Sequence, residues 1–281
     1  MRNDTVQVQL QPKEYKSAVK PVWCPGCGDF GVLGSITKAL AGLHIQPENV
    51  AIISGIGCSS RMPTYLNTYG FHGVHGRALA LATGLKTARP DITVIATGGD
   101  GDGFSIGGNH FLHTCRRNPN MTYIVMDNQV YGMTKGQASP TTEPSWQKGK
   151  LTPAGTGINP FQPLAIALAS GANFIARCSS SDSNGTARVL MHAIEHPGFS
   201  MVQVLSPCVT FRPEQREWKK RLIPAPEEMQ ATVDPAEAAR LLLTDEGVYT
   251  GILYKGNRPV YQPKLESSME DIAEFEEEFR I

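Results

Sequence analysis

Two groups of residues in this sequence have types and spacings suited to chemistry: an aspartate and an asparagine set among glycines, and a subset of the cysteines. The first group is Gly99-Asp100-Gly101-Asp102-Gly103, followed 28 residues after Asp100 by Asn128 and then Val130. The Asp100 carboxylate, the Asn128 side-chain carbonyl and the Val130 main-chain carbonyl are three hard oxygens. Mg²⁺ selects that donor type and fills its octahedron with phosphate oxygens and water. Glycines at such a place let main-chain N–H groups approach a phosphate closely. The pattern therefore offers a site for Mg²⁺ and a diphosphate. Gly-Asp-Gly alone is a common turn, and its weight here comes from the pairing with Asn128. Asp102 has no evident magnesium role; a contact near the diphosphate and a helix N-cap are both open to it.

The sequence holds six cysteines. Cys24-Pro25-Gly26-Cys27 taken alone fits a redox dithiol, half a zinc site or two ligands of an iron–sulfur cluster. A thioredoxin-like motif should follow a strand, and Ser17 to Trp23 is a poor one. A four-cysteine zinc ribbon needs a second CxxC, which the sequence lacks. Cys58, in Gly55-Ile56-Gly57-Cys58-Ser59-Ser60-Arg61, and Cys208, in Ser206-Pro207-Cys208, both follow strand-like runs. Four thiolates gathered at one sheet edge can hold a 4Fe–4S cluster, which tolerates irregular spacing. Cys115 and Cys178 read as small apolar packing residues.

These groups need a scaffold that brings them together. Continuous apolar runs, the mark of strands buried on both faces, occur at Val50 to Ser54, Ile92 to Thr97, Thr122 to Asp127, Ala172 to Ala176 and Met201 to Leu205. Helix patterns lie between them, at Phe30 to Leu43, Arg77 to Ala88, Gly108 to Arg117, Pro163 to Ala169 and Gly185 to Glu195. This alternation predicts an α/β fold with a doubly wound, mostly parallel sheet, whose ligands bind at the carboxyl ends of the strands. Ser139 to Asn159 reads as a long surface loop. Residues 1–212 form the expected cofactor-binding α/β domain. Residues 213–281 form a C-terminal extension expected to contact a partner; it holds two strands around Lys255-Gly256-Asn257 and an acidic stretch from Glu266 to Phe279.

The 281 residues are 41% hydrophobic, with 26 basic and 26 acidic side chains. Zero net charge argues against a nucleic-acid-binding surface, which needs a basic excess. No run of apolar residues is long enough to span a bilayer. The N-terminal stretch is polar and lacks the apolar core of a secretory signal, so a cytoplasmic location is expected.

The segments WCPGCGDFG, GIGCSSR, HGRALALATGLK, GGDGDGFSIGGNHF and MDNQVYGMTKGQASPT resemble the β subunit of 2-oxoacid:ferredoxin oxidoreductases, particularly the 2-oxoglutarate type, across roughly residues 17–212. Gly-Asp-Gly followed by Asn is similar to the diphosphate motif of thiamine-diphosphate enzymes. The resemblance implies thiamine diphosphate with Mg²⁺ at Asp100, Asn128 and Val130, and one 4Fe–4S cluster on Cys24, Cys27, Cys58 and Cys208. It also implies coenzyme A as acyl acceptor, ferredoxin as electron acceptor, and a larger α subunit that supplies the carboxylate needed at the aminopyrimidine ring.

On that reading Ile56, Gly57, Cys58 and Ser59 face the cofactor together with Gly101 and Asp102, while Gly132 and Met133 line the thiazolium and the substrate. Arg61 would meet the distal carboxylate of a dicarboxylic 2-oxoacid. His75 would donate a proton or touch substrate. Plain packing for Met133, a surface ion pair for Arg61 and a structural role for His75 are the competing readings. A pyruvate or broad-range oxidoreductase subunit, a non-oxidative decarboxylase subunit with structural cysteines, and a zinc-stabilised scaffold subunit are the rival functions.

Overall fold

In the computed structural model, residues 9–149, 151–224, 231–244 and 249–262 are described. Five strands form the parallel heart of the sheet: β1 (Val50–Ser54), β3 (Thr93–Gly99), β4 (Met121–Asp127), β5 (Phe174–Ser179) and β6 (Phe199–Leu205). β2 (Tyr69–His72) adds a parallel strand at one edge, and β7 (Ile223–Pro224) and β8 (Tyr249–Lys255) extend the other. The order is β2-β1-β3-β4-β6-β5-β8-β7, with β8 antiparallel to β5.

Strand side chains alternate between two cores, as a period of two requires. Ile52, Ile95, Ile124, Met126, Val202 and Val204 face α1 (Asp29–Gly42) and α6 (Ser183–Glu195). Ala51, Ile53, Val94, Ala96, Tyr123 and Val125 face the other layer, built from α3 (Ala78–Ala88), α4 (Gly108–Arg117), α5 (Pro163–Ala169) and α7 (Pro235–Thr244). The expected α/β architecture is present. A short α2 (Met62–Tyr65) leads into β2.

Several features depart from the sequence reading. β2 was missed because all four of its residues are exposed, so it carries no apolar run. Of the expected C-terminal pair only β8 forms a strand; after the turn, Tyr261 makes a single bridge to Pro119. The antiparallel partner of β8 is β5 instead, which covers what would otherwise be an open sheet edge. Ser139 to Asn159 has no helix or strand, but its first half turns inward, burying Ser139, Thr141, Thr142 and Trp146. The acidic stretch from Glu266 lies outside the described residues.

Candidate active site

The chain leaves β1 toward one edge of the sheet and returns in β3 on its other side. Neighbouring loops diverge at that point and open a crevice at the strand ends. The crevice is lined by Ile56, Gly57, Cys58 and Ser59 after β1, and by His75 ahead of α3. Asp100, Gly101 and Asp102 after β3, and Asn128, Val130, Gly132 and Met133 after β4, complete it. β3 and β4 are adjacent and in register, Gly99 opposite Met126, so Asp100 and Asn128 emerge side by side.

Asp100 is buried. Its Oδ2 accepts hydrogen bonds from the hydroxyls of Ser139 and, at 2.9 Å, Thr141. Its Oδ1 has only a long contact, 3.4 Å, from the Asn128 N–H, and so keeps a lone pair for a cation. Thr141 also lies 2.8 Å from Asp127 Oδ1, and Asp127 accepts from Gln203 Nε2 at 2.7 Å. Burial first, then the charge of Asp127, pushes the Asp100 carboxyl above the usual range. Asn128 Oδ1 accepts the Val130 N–H at 3.1 Å, a small Asx turn that holds the two residues together. The Val130 carbonyl accepts no hydrogen bond among the described residues. Asp100, Asn128 and Val130 thus present hard oxygens with spare lone pairs, the donor set that suits Mg²⁺.

Of the two parts read for Asp102, the structure excludes one, while the side chain does lie along the crevice. It is not an N-cap, since Gly101 holds that position. Its Oδ1 accepts from Gly76 N–H at 2.8 Å and Ile56 N–H at 3.0 Å, with His75 Nδ1 3.3 Å away. The buried carboxylate pins the loop after β1 to the loop before α3, and a Cβ on Gly55 would strike it. His75 is thereby held at the crevice wall with its ring partly exposed.

Four cysteines converge on the same edge. Sulfurs of Cys58 and Cys208 lie 3.8 and 3.7 Å from the point a Cβ on Gly132 would occupy. Cys27 feels the charges of both, and Cys24 acts on Cys58 and Cys208. Burial raises the Cys27 thiol strongly and pushes Cys58 up to about 11, so iron must displace protons to bind. Among the described residues no three His, Cys, Asp or Glu side chains crowd together as a single ion requires. A cubane is different: each thiolate would bind its own iron, so the sulfurs would stand apart around a larger body, and four free thiols, two of them beside Gly132, are a donor set that suits it. Cys115 and Cys178 are buried in the two opposite cores.

Arg61 is exposed and stands outside the crevice lining, near enough to Cys58 for its charge to lower that thiol's pKa.

Residues 55–204 match the family model for the thiamine pyrophosphate enzyme C-terminal TPP-binding domain. A β subunit of 2-oxoacid:ferredoxin oxidoreductase 2 from Aeropyrum pernix is 40% identical over 271 residues, 91% of this chain and 87% of that protein. The chain belongs to the 2-oxoacid:ferredoxin oxidoreductase β-subunit family. Subunit KorB of 2-oxoglutarate oxidoreductase from Mycobacterium tuberculosis is 49% identical over 213 residues, 75% of this chain but only 57% of that longer relative. Among solved structures, the 2-oxoglutarate:ferredoxin oxidoreductase of Magnetococcus marinus, with 2-oxoglutarate, coenzyme A and succinyl-CoA bound, superposes with a TM-score of 0.87. It is 42% identical, over 96% of this chain and 90% of that one.

For a β subunit of this family, the structure adds partners whose part the motifs do not state. Ser139, Thr141 and Asp127 lie within or beside the segment MDNQVYGMTKGQASPT, but only the fold sets the first two on Asp100 and joins Asp127 to Thr141. Gln215, fully buried on the 3₁₀ turn Pro213–Lys220, accepts from Cys208 N–H at 2.9 Å and donates to the Asn128 carbonyl at 2.7 Å. It joins the cysteine side of the site to the magnesium side. Its signal in the sequence was nil, because a polar residue in a charged stretch reads as solvated surface. Trp23 donates its indole N–H to the Cys58 carbonyl at 2.8 Å and packs edge-on against Phe30 and Tyr65.

Proposed function

We propose that this chain is the cofactor- and cluster-bearing subunit of a cytoplasmic 2-oxoglutarate:ferredoxin oxidoreductase that works only with an α subunit. The single observation carrying this reading is that Gly132 faces two sites at once. It lines the crevice with Asp100 and Asn128, and a Cβ placed on it would lie within van der Waals reach of the sulfurs of Cys58 and Cys208. A carbon centre and a one-electron acceptor placed on either side of one residue suit oxidative decarboxylation. 2-Oxoglutarate and coenzyme A would give succinyl-CoA and CO₂, with two electrons leaving one at a time to ferredoxin and the thiol proton of coenzyme A released to solvent.

When bound, thiamine diphosphate supplies the carbanion chemistry. Asp100, Asn128 and Val130 would hold Mg²⁺, and the main chain from Ile56 to Ser59 and at Gly101 would face the diphosphate. His75, held by Asp102, presents its ring to the crevice, where it can touch substrate or move a proton. Met133, 45% exposed at the rim, can cover the substrate. Arg61, exposed and outside the crevice lining, is assigned to the distal carboxylate of the substrate. The aminopyrimidine-side carboxylate is assigned to the α subunit.

The test is anaerobic co-purification with the α subunit, followed by assay against 2-oxoglutarate, pyruvate and branched 2-oxoacids with coenzyme A and ferredoxin. The expected result is brown protein, CoA-dependent release of CO₂ and highest kcat/KM for 2-oxoglutarate. Colourless protein releasing aldehyde, or zinc without iron, overturns it. Equal turnover of pyruvate would move the assignment to a broad-range enzyme.

A further inference from the structure

We propose that Asp29 and Ser206 form a buried clamp that sets the geometry of the cysteine pocket before iron enters it. This rests on the cluster reading above and assigns a part to two residues that hold no iron themselves.

Asp29 opens α1 two residues after Cys27 and is 2% exposed. Ser206 follows β6, two residues before Cys208, and is 1% exposed. The Ser206 hydroxyl donates to Asp29 Oδ1 at 2.7 Å. Beside it, Gly28 N–H donates to the Pro207 carbonyl at 3.1 Å. Two adjacent contacts, one from a side chain and one from the main chain, therefore join the CxxC turn to the Cys208 segment. Trp23 makes the matching link to the Cys58 loop. All three segments that carry the four thiols are fixed to one another by groups that are not thiols.

A carboxyl is a costly way to fill a buried space, because it loses its hydration and an apolar side chain would pack as well. What it adds is direction: one oxygen accepts from the Ser206 hydroxyl at 2.7 Å, which holds the carboxyl in one orientation next to the Cys27 thiol. On binding iron the Cys27 sulfur would release its proton to solvent, with no electron transferred, and the Ser206 bond would keep the Asp29 carboxyl and the start of α1 in place beside it. Polar partners just outside a ligand set orient the ligands in this way. Without Ser206 the carboxyl turns, the start of α1 shifts, and the Cys27 sulfur moves relative to Cys208.

The experiment uses the chain co-purified anaerobically with its α subunit. It compares wild type with Ser206→Ala, Ser206→Thr and Asp29→Asn. Iron per chain, the rate of iron loss to excess EDTA, and the electron paramagnetic resonance spectrum of the reduced protein are measured. Ser206→Ala should lose iron at least tenfold faster than wild type, with shifted g values in the cluster that remains. Ser206→Thr keeps the donor, and Asp29→Asn keeps an acceptor, so both should stay within about threefold of wild type. Iron loss from Ser206→Ala within twofold of wild type overturns the clamp. So does a lowered melting temperature with unshifted g values, the pattern of a residue that only stabilises the fold. If Asp29→Asn does not fold, the Ser206 pair decides alone. Wild-type protein with no iron removes the cluster reading, and the clamp falls with it.

Discussion

Thr141→Val tests whether the loop after Ser139 belongs to the cofactor site or only covers it. The Thr141 hydroxyl lies 2.9 Å from Asp100 Oδ2 and 2.8 Å from Asp127 Oδ1, and both carboxyls are buried. One hydroxyl carries one proton, so it donates to one carboxyl at a time, and the second contact needs a proton on the other carboxyl. Valine has nearly the same volume but sets a methyl between the two acidic groups. The loss is one hydrogen bond to a charged group, worth about 1.5–3 kcal/mol. Asp100 keeps Ser139, and Asp127 keeps Gln203 and the Gln129 N–H, so neither is orphaned and the lower half of that range applies to the fold. The urea midpoint should fall by an amount equal to about 2 kcal/mol, roughly 30-fold in the folding equilibrium. Asp100 also loses part of its orientation, so calorimetric affinity for thiamine diphosphate with Mg²⁺ should drop about three- to tenfold. A variant with unchanged midpoint and affinity would refute the reasoning, and the loop would be a cover only.

Four further outcomes are expected. Replacing Cys24, Cys27, Cys58 or Cys208 by Ser should abolish the reduced-cluster resonance signal, whereas Cys115→Ser and Cys178→Ser, in opposite cores, should retain it; four irons in Cys208→Ser would remove that residue from the ligand set. Asp100→Ala should weaken Mg²⁺-dependent thiamine diphosphate binding by about tenfold or more, since a charged ligand to a hard cation is lost; calorimetry giving equal affinities would contradict the assignment. Arg61→Ala should lower kcat/KM for 2-oxoglutarate roughly ten- to hundredfold while sparing pyruvate. An equal fall for both substrates would instead make Arg61 a support of the Cys58 loop, as its exposed position outside the crevice lining also allows. The metal-free chain should become less stable as pH rises from 5 to 7.5. Burial lifts Asp29 to about 6 and raises Asp100 and Asp127, so the folded chain holds protons that the unfolded chain sheds near pH ~3.9. That stabilisation is full below the unfolded value and lost as pH passes the folded ones. A scanning-calorimetry midpoint that climbs across this window would show the carboxyls are not so shifted.

The sequence by itself determined the heart of the sheet and which candidate residues gather at its edge. Val50–Ser54, Gly108–Arg117 and Pro163–Ala169 form where the apolar runs and helix periods put them, because strands buried on both faces and helices packed on a sheet leave strong local patterns. The Asp100–Asn128 pair and the four cysteines were legible for a related reason. Ligand chemistry restricts residue type, and a parallel sheet delivers successive strand ends to one edge. The tertiary structure alone decided what supports those ligands. Ser139, Thr141, Asp127, Gln203, Asp29, Ser206 and Gln215 are polar residues scattered along the chain; several lie in motifs or strand-like runs, yet the group each one bonds to is set only by the fold. β2 escaped for the same cause in another form, and β8, though read as a strand, gave no sign that β5 is its partner, since edge strands owe their pairing to a neighbour more than to their own residues. Burial, and with it the carboxyl shifts at Asp29 and Asp100, is likewise a property of what surrounds a residue. A buried hydrogen bond between positions as distant as 29 and 206 has no local signal, because the free energy that fixes it arises only when both groups leave water together.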